Sequence, residues 1–180
     1  MNDGTILLYK GNRKNLVDRV IMDVTDSPYS HTAIYLAGFT FESTVWQLPG
    51  SKPWMFWRYR TGVHITVGER AADLRLQPKS GRTLEEAHAG LAKAIEIVNS
   101  RAWYAFALTL FDAVLYPTRA LWKWIYRKTG WAPFVSSSTN CSYAADLLEK
   151  IMGLDLWPGM PESLTVPGDY LKCDALEVVT

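Results

Sequence analysis

The sequence predicts an α+β fold in which an antiparallel sheet packs against helices, and three observations lead to that prediction. Most of the short apolar segments with the length of strands lie in the first third of the chain. Two of them flank the dipeptide Ala37-Gly38, which is a hairpin signal. The longer segments with helical spacing of apolar residues follow Thr83. The chain has 180 residues, so we expect one domain, residues 1–180, with a core of its own.

Strands are predicted in five places, and the second and third set a register. In order, the strands are GTILLYKG, residues 32–36, residues 39–46, residues 63–67 and residues 175–179. With a two-residue turn, the cross-strand partners are Leu36 and Phe39, Ala33 and Glu42, and His31 and Thr44. Because partners and residues two apart share a face, Glu42 is expected on the same face as His31, diagonal to it. The segment LPGSKPWMFWRYR is predicted to be a loop.

Helices are predicted where apolar residues recur at i, i+3 and i+4. Their positions are residues 15–24, 87–99, 103–116 and 141–152. Asn15 is the expected N-cap of the first helix, and Thr83 and Glu86 have capping-box spacing ahead of the second. Pro117 either ends the third helix or restarts a helix through Trp124. Gly153 is expected to close the last one.

Composition and charge exclude several classes of protein. With 48% hydrophobic and 21% charged residues, the chain resembles an average globular protein and not a disordered one. Nineteen basic and eighteen acidic residues leave a net charge of +1, so we expect no nucleic-acid partner. The N-terminus MNDGTILLYKGNRKN lacks the pattern of a signal peptide, which predicts a cytoplasmic protein as synthesised. The longest apolar run, WYAFALTLFDAVLY, is too short for the ~20 residues of a membrane span.

The two cysteines lie in different sequence contexts. Without an export signal, Cys141 and Cys173 are first interpreted as free thiols, with a disulfide as the alternative. Cys141 lies at or beside the first turn of a predicted helix, where backbone N–H groups and the helix dipole lower the pKa of a thiol. Those N–H groups can also bind an oxyanion. The alternative is a small buried residue at a helix start. No cysteine or histidine spacing resembles a zinc site, so neither a metal nor a cofactor is expected.

The segment SPYSHTAIYL places His31 at the start of a predicted strand. A histidine in this position commonly bonds a neighbouring carbonyl and takes no part in chemistry. It becomes a general base for Cys141 if the cysteine helix packs against the hairpin. Sequence alone does not show whether the two residues meet.

Four segments, taken in order, resemble motifs of one enzyme family. GTILLYKG resembles an opening "GDI" strand, although Asp3 precedes Gly4 here, so the order of the two residues is reversed. SHTAIYL resembles a "SHVGIYL" strand, NCSYAADLL a "TCSELV" segment and TVPGDYL a "TPGDL" ending. The family is the circularly permuted branch of the NlpC-like cysteine peptidases, often called YiiX-like or YebB-like. The resemblance implies a papain-like fold in circularly permuted order, with the histidine strand first and the cysteine helix last.

The resemblance also implies a role for each of three residues. Cys141 matches the nucleophile, His31 the base, and Glu42 of the segment FES the orienting acid on the next strand. Asp26 and His64 are the rival orienters. No family motif matches residues 102–135, which are interpreted as an aromatic-rich helical insertion that holds the specificity determinants or a partner site.

Three functions agree with these expectations. The first is a thiol-dependent hydrolase that cleaves amide bonds in peptidoglycan stem peptides through an acyl-enzyme. The second uses the same residues as a lipid or ester acyl hydrolase or acyltransferase, which the aromatic insertion favours. The third is a non-catalytic structural component, such as part of a phage virion or tail. The intact set of Cys, His and Glu favours an enzyme, and a phage enzyme would be virion-associated or released to the cell wall by lysis.

Overall fold

A computed structural model describes residues 1–47, 59–99, 118–130, 141–160, 162 and 165–179. The strands are β1 (Thr5–Lys10), β2 (Tyr29–Leu36), β3 (Phe39–Gln47), β4 (Tyr59–Val67), β5 (Leu74–Pro78) and β6 (Leu176–Val179). The helices are α1 (Leu16–Thr25), α2 (Leu84–Asn99), α3 (Arg119–Thr129), α4 (Cys141–Ile151) and a 3₁₀ helix (Pro167–Lys172). The predicted helix at residues 103–116, the segment SSSTN and most of LPGSKPWMFWRYR lie outside the described residues.

The described strands form one open antiparallel sheet in the order β4-β3-β2-β1-β5-β6, which confirms the predicted α+β class. The predicted β2–β3 hairpin is also confirmed. Ala37 and Gly38 have φ values of 47° and 86°, as a two-residue type I′ turn requires. The register runs from Leu36↔Phe39 to Ala33↔Glu42, as predicted, and the expected pair of His31 with Thr44 lies beyond the last ladder pair.

The sheet has one apolar face and one face with a polar row. The apolar face belongs to the main core, whose members include Ile6, Leu8, Ile34, Leu36, Phe41 and Leu76 together with residues of α2 and α4. The opposite face carries the polar row, which consists of Tyr9, His31, Glu42 and His64. These residues lie on one face because cross-strand partners share a face. Tyr9 pairs with His31, Ala33 with Glu42, and Glu42 with His64. The polar row therefore crosses the four strands β1 to β4.

Both long helices that cover the apolar face have the ends that the sequence predicts. Thr83 and Glu86 form the capping box of α2, with bonds of 3.2 Å from the Glu86 N–H to Thr83 Oγ1 and 2.8 Å from the Thr83 N–H to a Glu86 oxygen. Gly153, at φ 87°, closes α4. The N–H of Leu154 donates to the Glu149 carbonyl at 3.0 Å, which makes this a Schellman motif. Asn15 lies at the predicted N-cap position of α1, where its carbonyl accepts the first intrahelical bond.

Several strand boundaries differ from the prediction for reasons of tertiary pairing. β2 begins at Tyr29 and not at residue 32, because Tyr29 pairs with Lys10 of β1 although SPYS has the composition of a turn. β4 begins at Tyr59, which pairs with Gln47, so the predicted loop is too long by two residues. β5 was not predicted at all, because five residues ending in a proline carry little strand signal by themselves.

The helices differ less from the prediction. α2 begins at Leu84, immediately after its cap, and not at residue 87. α3 begins after Pro117, which agrees with a restarted helix, but it continues past Trp124 to Thr129. Gly130 ends it in the left-handed conformation, at φ 67°. Among the described helices, none is both long and apolar enough to cross a membrane.

Candidate active site

The position of His31 depends on an irregularity in the sheet. Tyr9 of β1 pairs with His31, but the next residue, Lys10, pairs with Tyr29. Ser30 is therefore an extra residue in β2, which makes a β-bulge immediately before His31. Bulges change the direction of neighbouring side chains and are common beside active sites. The sequence does not predict this bulge, because it depends on how β1 and β2 are paired.

Glu42 is the carboxylate that His31 contacts. Nε2 of His31 lies 3.1 Å from Oε2 of Glu42, whose side chain is only 3% exposed. The contact runs diagonally across the β2–β3 hairpin, as the register predicts. Because Nε2 faces Glu42, Nδ1 is the ring nitrogen that remains for a second partner.

Two further residues contact the other oxygen of Glu42. Nε2 of His64 lies 2.9 Å from Oε1, and Nη1 of Arg70 donates to the same atom. Burial alone would raise the pKa of Glu42. The hydrogen bonds from His31 and His64 and the positive charge of Arg70 outweigh it and hold that pKa well below its ordinary value. Glu42 is therefore ionised across the physiological pH range.

Cys141 is the first residue of α4 and is 6% exposed. Burial alone would raise the pKa of its thiol, but a hydrogen bond and charge interaction with His31, and a backbone hydrogen bond from Thr32, lower it. Burial also opposes the charged form of His31. The hydrogen bonds with Cys141 and Glu42 outweigh that effect and raise the pKa of His31 to about 9. The two shifts together favour a thiolate beside an imidazolium.

The segment TVPGDYL holds the cysteine helix against the histidine strand. The hydroxyl of Tyr170 donates to the carbonyl of Ser142 at 2.8 Å, next to Cys141. Gly168 packs against Ser27, the residue that starts the turn into β2, and a Cβ at position 168 would lie 2.7 Å from Cβ of Ser27. No side chain larger than glycine fits there without a shift. This C-terminal segment therefore links the two elements that carry the thiol and the imidazole.

The structure brings together the three residues singled out in the sequence, Cys141, His31 and Glu42. His64, which the sequence suggested as a rival orienter, contacts Glu42. Asp26, the other rival, is exposed in the turn after α1. Both cysteines are free thiols, so the alternative of a disulfide between them is wrong. Among the described residues, no group of three or more His, Cys, Asp or Glu side chains is arranged to hold a metal ion.

Two residues of the site were missed in the sequence. Tyr9 stacks against His31 with 5.4 Å between ring centroids, and the only signal for it is its place in β1, which needs the β1–β2 register to interpret. Arg70 follows β4 in the segment GERAAD, and nothing in that segment distinguishes it from the other surface charges. The contact of Tyr9 depends on how two strands pair, and that of Arg70 on the path of a loop.

Comparison with known proteins adds nothing to this geometry. No protein-family model matches the chain. A search of curated proteins likewise finds no match. The site geometry and the four sequence motifs are therefore the basis for a functional assignment.

Proposed function

We propose that the protein is a thiol-dependent hydrolase of the circularly permuted NlpC-like class, with Cys141 as nucleophile. One observation carries the proposal. Nε2 of His31 lies 3.1 Å from the carboxylate of Glu42, and, against the effect of burial, the same imidazole lowers the pKa of the Cys141 thiol. A nucleophile, a base and a group that orients the base, in that order, are the parts that covalent acyl transfer needs.

The proposed reaction proceeds through an acyl-enzyme. The Cys141 thiolate attacks the carbonyl carbon of an amide, and backbone N–H groups at the first turn of α4 would bind the oxyanion. The C–N bond breaks as His31 donates its proton to the leaving amine. Water then attacks the thioester, His31 takes a proton from it, and the carboxylic acid leaves as the Cys141 thiolate is restored. Glu42 keeps one tautomer of His31 and stabilises its imidazolium form.

The proposed substrate is an amide bond of peptidoglycan stem peptides. Its support is the resemblance of four segments to the permuted NlpC-like enzymes, together with a site that matches the residue roles of that family. An enzyme of this kind would meet its substrate after release from the host cell or as part of a phage particle.

A second candidate is a lipid or ester acyl hydrolase or acyltransferase that uses the same three residues, and helix α3 favours it. Leu121 and Trp124 are 53% and 59% exposed, and with Lys128 they share one face of α3 through i, i+3 and i+7 spacing. The helix RALWKWIYRKT has four basic residues and no acidic one, whereas the whole chain has a net charge of +1. Exposed Trp and Leu on a basic helix are typical of helices that lie in the surface of anionic membranes.

One experiment separates the candidate substrates. Wild-type protein and the Cys141→Ser variant are incubated with purified peptidoglycan sacculi and, separately, with lipid extracts, and the products are identified by mass spectrometry. New amino and carboxyl ends in stem peptides, absent with Cys141→Ser, would support the amidase. Released fatty acids or transferred acyl chains would support the second candidate. A protein with no product in either assay, and with a thiol of ordinary reactivity, would be a structural component.

A second measurement tests the role of α3 by itself. The double variant Leu121→Ser/Trp124→Ser is compared with Val178→Ser, a control on β6 whose side chain is also 59% exposed. If α3 binds membranes, only the double variant loses sedimentation with anionic vesicles, and zwitterionic vesicles bind neither protein. Wild-type protein that fails to sediment with anionic vesicles would remove this support for the lipid candidate.

A further inference from the structure

The site contains an arginine that no sequence motif marks. Arg70 lies in the loop between β4 and β5, its side chain is 45% exposed, and Nη1 donates to Oε1 of Glu42. Its guanidinium carbon lies 5.7 Å from the centroid of the Tyr9 ring. The same ring stacks against His31 at 5.4 Å. The ring of Tyr9 therefore contacts Arg70 and His31, the two residues that bond opposite oxygens of Glu42.

The two oxygens of Glu42 have different partners. Oε2 accepts from His31, and Oε1 accepts from His64 and Arg70. A carboxylate held at one oxygen can rotate about its last side-chain bond, whereas contacts at both oxygens fix its plane. A buried carboxylate also needs a compensating charge. Arg70 supplies such a charge as a guanidinium, which does not deprotonate in proteins.

We infer that Arg70, seated on the ring of Tyr9, is a positioning residue that keeps Glu42 ionised and oriented toward His31. This inference rests on the proposed function, since it assigns Arg70 a part in the same site. The residues that interact with Glu42 are Tyr9 on β1, His31 on β2, His64 on β4 and Arg70 in its loop, and Cys141 on α4 interacts with His31. Asp73 and Arg75 act on Tyr9 from the loop and from β5.

The inference predicts a change in pH dependence. Without Arg70, Glu42 takes up a proton at a higher pH, and the imidazolium of His31 then loses its acceptor. The thiolate–imidazolium pair weakens as a result, so the acid limb of Cys141 reactivity moves to higher pH. Loss of one nearby positive charge predicts a rise of about one unit or more in the pKa of Glu42, and a smaller upward shift of the acid limb of Cys141.

The test uses iodoacetamide alkylation of Cys141 as a function of pH, in a Cys173→Ser background that leaves one thiol. Arg70→Gln is expected to move the acid limb upward, and Arg70→Lys to move it less, because a lysine keeps the charge and loses the planar fork. Arg13→Gln is the matched control. Arg13 is exposed, forms an ion pair with Asp23 at 3.2 Å and, in the part of the chain that the structure describes, has no contact with the residues of the site. The control is expected to retain the wild-type profile.

A second pair of variants tests the part played by Tyr9. Its hydroxyl is buried, and no hydrogen-bond partner for it is found among the described residues. Tyr9→Phe keeps the ring and is expected to behave as wild type, whereas Tyr9→Leu is expected to reproduce part of the Arg70→Gln shift. Equal shifts in the two variants would show that the hydroxyl of Tyr9 matters and its ring does not. That result would contradict the proposed role of the contact between Arg70 and the ring.

A direct measurement does not depend on reactivity. The carboxyl carbon of Glu42 is followed by NMR titration in wild type and in Arg70→Gln. The pKa of Glu42 is expected to rise in the variant. An unchanged Glu42 titration and acid limb, with only a lower melting temperature, would overturn the inference and leave Arg70 a structural residue. Absence of turnover on every substrate would defeat the proposed function while leaving these titrations interpretable.

Discussion

The two cysteines of this protein are nearly equal in burial and opposite in chemistry. Cys141 at the start of α4 is 6% exposed, and Cys173 after the 3₁₀ helix is 8% exposed. The pKa of Cys141 is lowered, whereas burial raises the pKa of Cys173. Cys173 donates its thiol hydrogen to the carbonyl of Leu156 at 3.7 Å. Burial alone therefore makes a thiol inert, and the partners of the sulfur decide whether it becomes reactive.

The partners differ in the form of the sulfur that they favour. At Cys141 they are donors or positive charges, namely the His31 imidazolium and the Thr32 N–H, and they stabilise a thiolate. At Cys173, burial and the negative charges of Asp146 and Asp174 raise the pKa of the thiol and outweigh the backbone hydrogen bonds from Ala175 and Leu176, which lower it. The predictions that follow test this contrast between the two cysteines.

The largest effect is expected from the sulfur itself. Cys141→Ser should lower turnover by a factor on the order of 10³ or more, because loss of a nucleophile removes the covalent route. Cys173→Ser should retain both turnover and fold, as measured by initial rates and thermal melting. Substantial turnover by Cys141→Ser would mean that the thiol is not the nucleophile.

The next largest effect is expected when the orienting carboxylate of Glu42 is replaced. Glu42→Gln keeps the size of the side chain but removes the charge that stabilises the imidazolium of His31. Turnover should fall by a factor on the order of 10 to 10⁴, with the upper end typical of a triad whose acid is replaced by its amide. Glu69→Gln, which removes a surface carboxylate, is the control. Equal turnover in Glu42→Gln and wild type would reduce the site to a Cys–His dyad.

Removing the imidazole should make the two thiols more alike. In wild type, iodoacetamide near neutral pH should label Cys141 faster than Cys173. In His31→Asn the thiol of Cys141 returns toward an ordinary pKa, so its thiolate fraction at pH 7 falls to a few per cent and labelling slows roughly 30-fold. His88→Asn, on the exposed side of α2, is the matched control. Faster labelling of Cys173 in wild type would contradict the assignment.

The pH profiles of turnover and of alkylation should separate the role of Cys141 from that of His31. The imidazolium of His31 is present below its pKa of about 9 and is lost above it, whereas the Cys141 thiolate is present above its lowered pKa. Turnover needs both and should fall several-fold as the pH rises through about 9. Alkylation needs only the thiolate and should not fall. A parallel decline of both rates would indicate unfolding and not the loss of an acid, which circular dichroism at each pH distinguishes.

The smallest effect is expected at the inert cysteine. Asp146 is buried, accepts a hydrogen bond from Thr165 at 2.7 Å, and has a pKa raised by burial to about 7. Asp146→Asn keeps an acceptor for Thr165 and removes one of the negative charges that raise the pKa of Cys173. The Cys173 pKa should drop by less than about one unit, measured by alkylation against pH in a Cys141→Ser background. A rise in that pKa would contradict the electrostatic explanation.

Much of the local structure could be predicted from short stretches of sequence. The Ala37-Gly38 turn, the Thr83–Glu86 capping box and the Gly153 helix end all depend on residues a few positions apart. The turn length also determined that Glu42 and His31 share a face. By contrast, β5 could not be predicted, because its five residues become a strand only between β1 and β6. The start of β2 was misplaced because Tyr29 follows residues typical of a turn.

The sequence by itself determined the residue types of the site and their local settings. These are a cysteine at a helix start, a histidine near the start of a strand, and a glutamate diagonal to that histidine across a hairpin. Only the tertiary structure decided that they meet. Thr32 and Ser142, neighbours of His31 and Cys141, lie 110 positions apart in the chain and 3.4 Å apart at their hydroxyl oxygens. That approach depends on the packing of α4 against the sheet and on the C-terminal segment that holds it there. The contacts of Arg70 likewise depend on a loop path. Caps and turns are local equilibria of a few residues, whereas such contacts depend on the free energy of the whole fold.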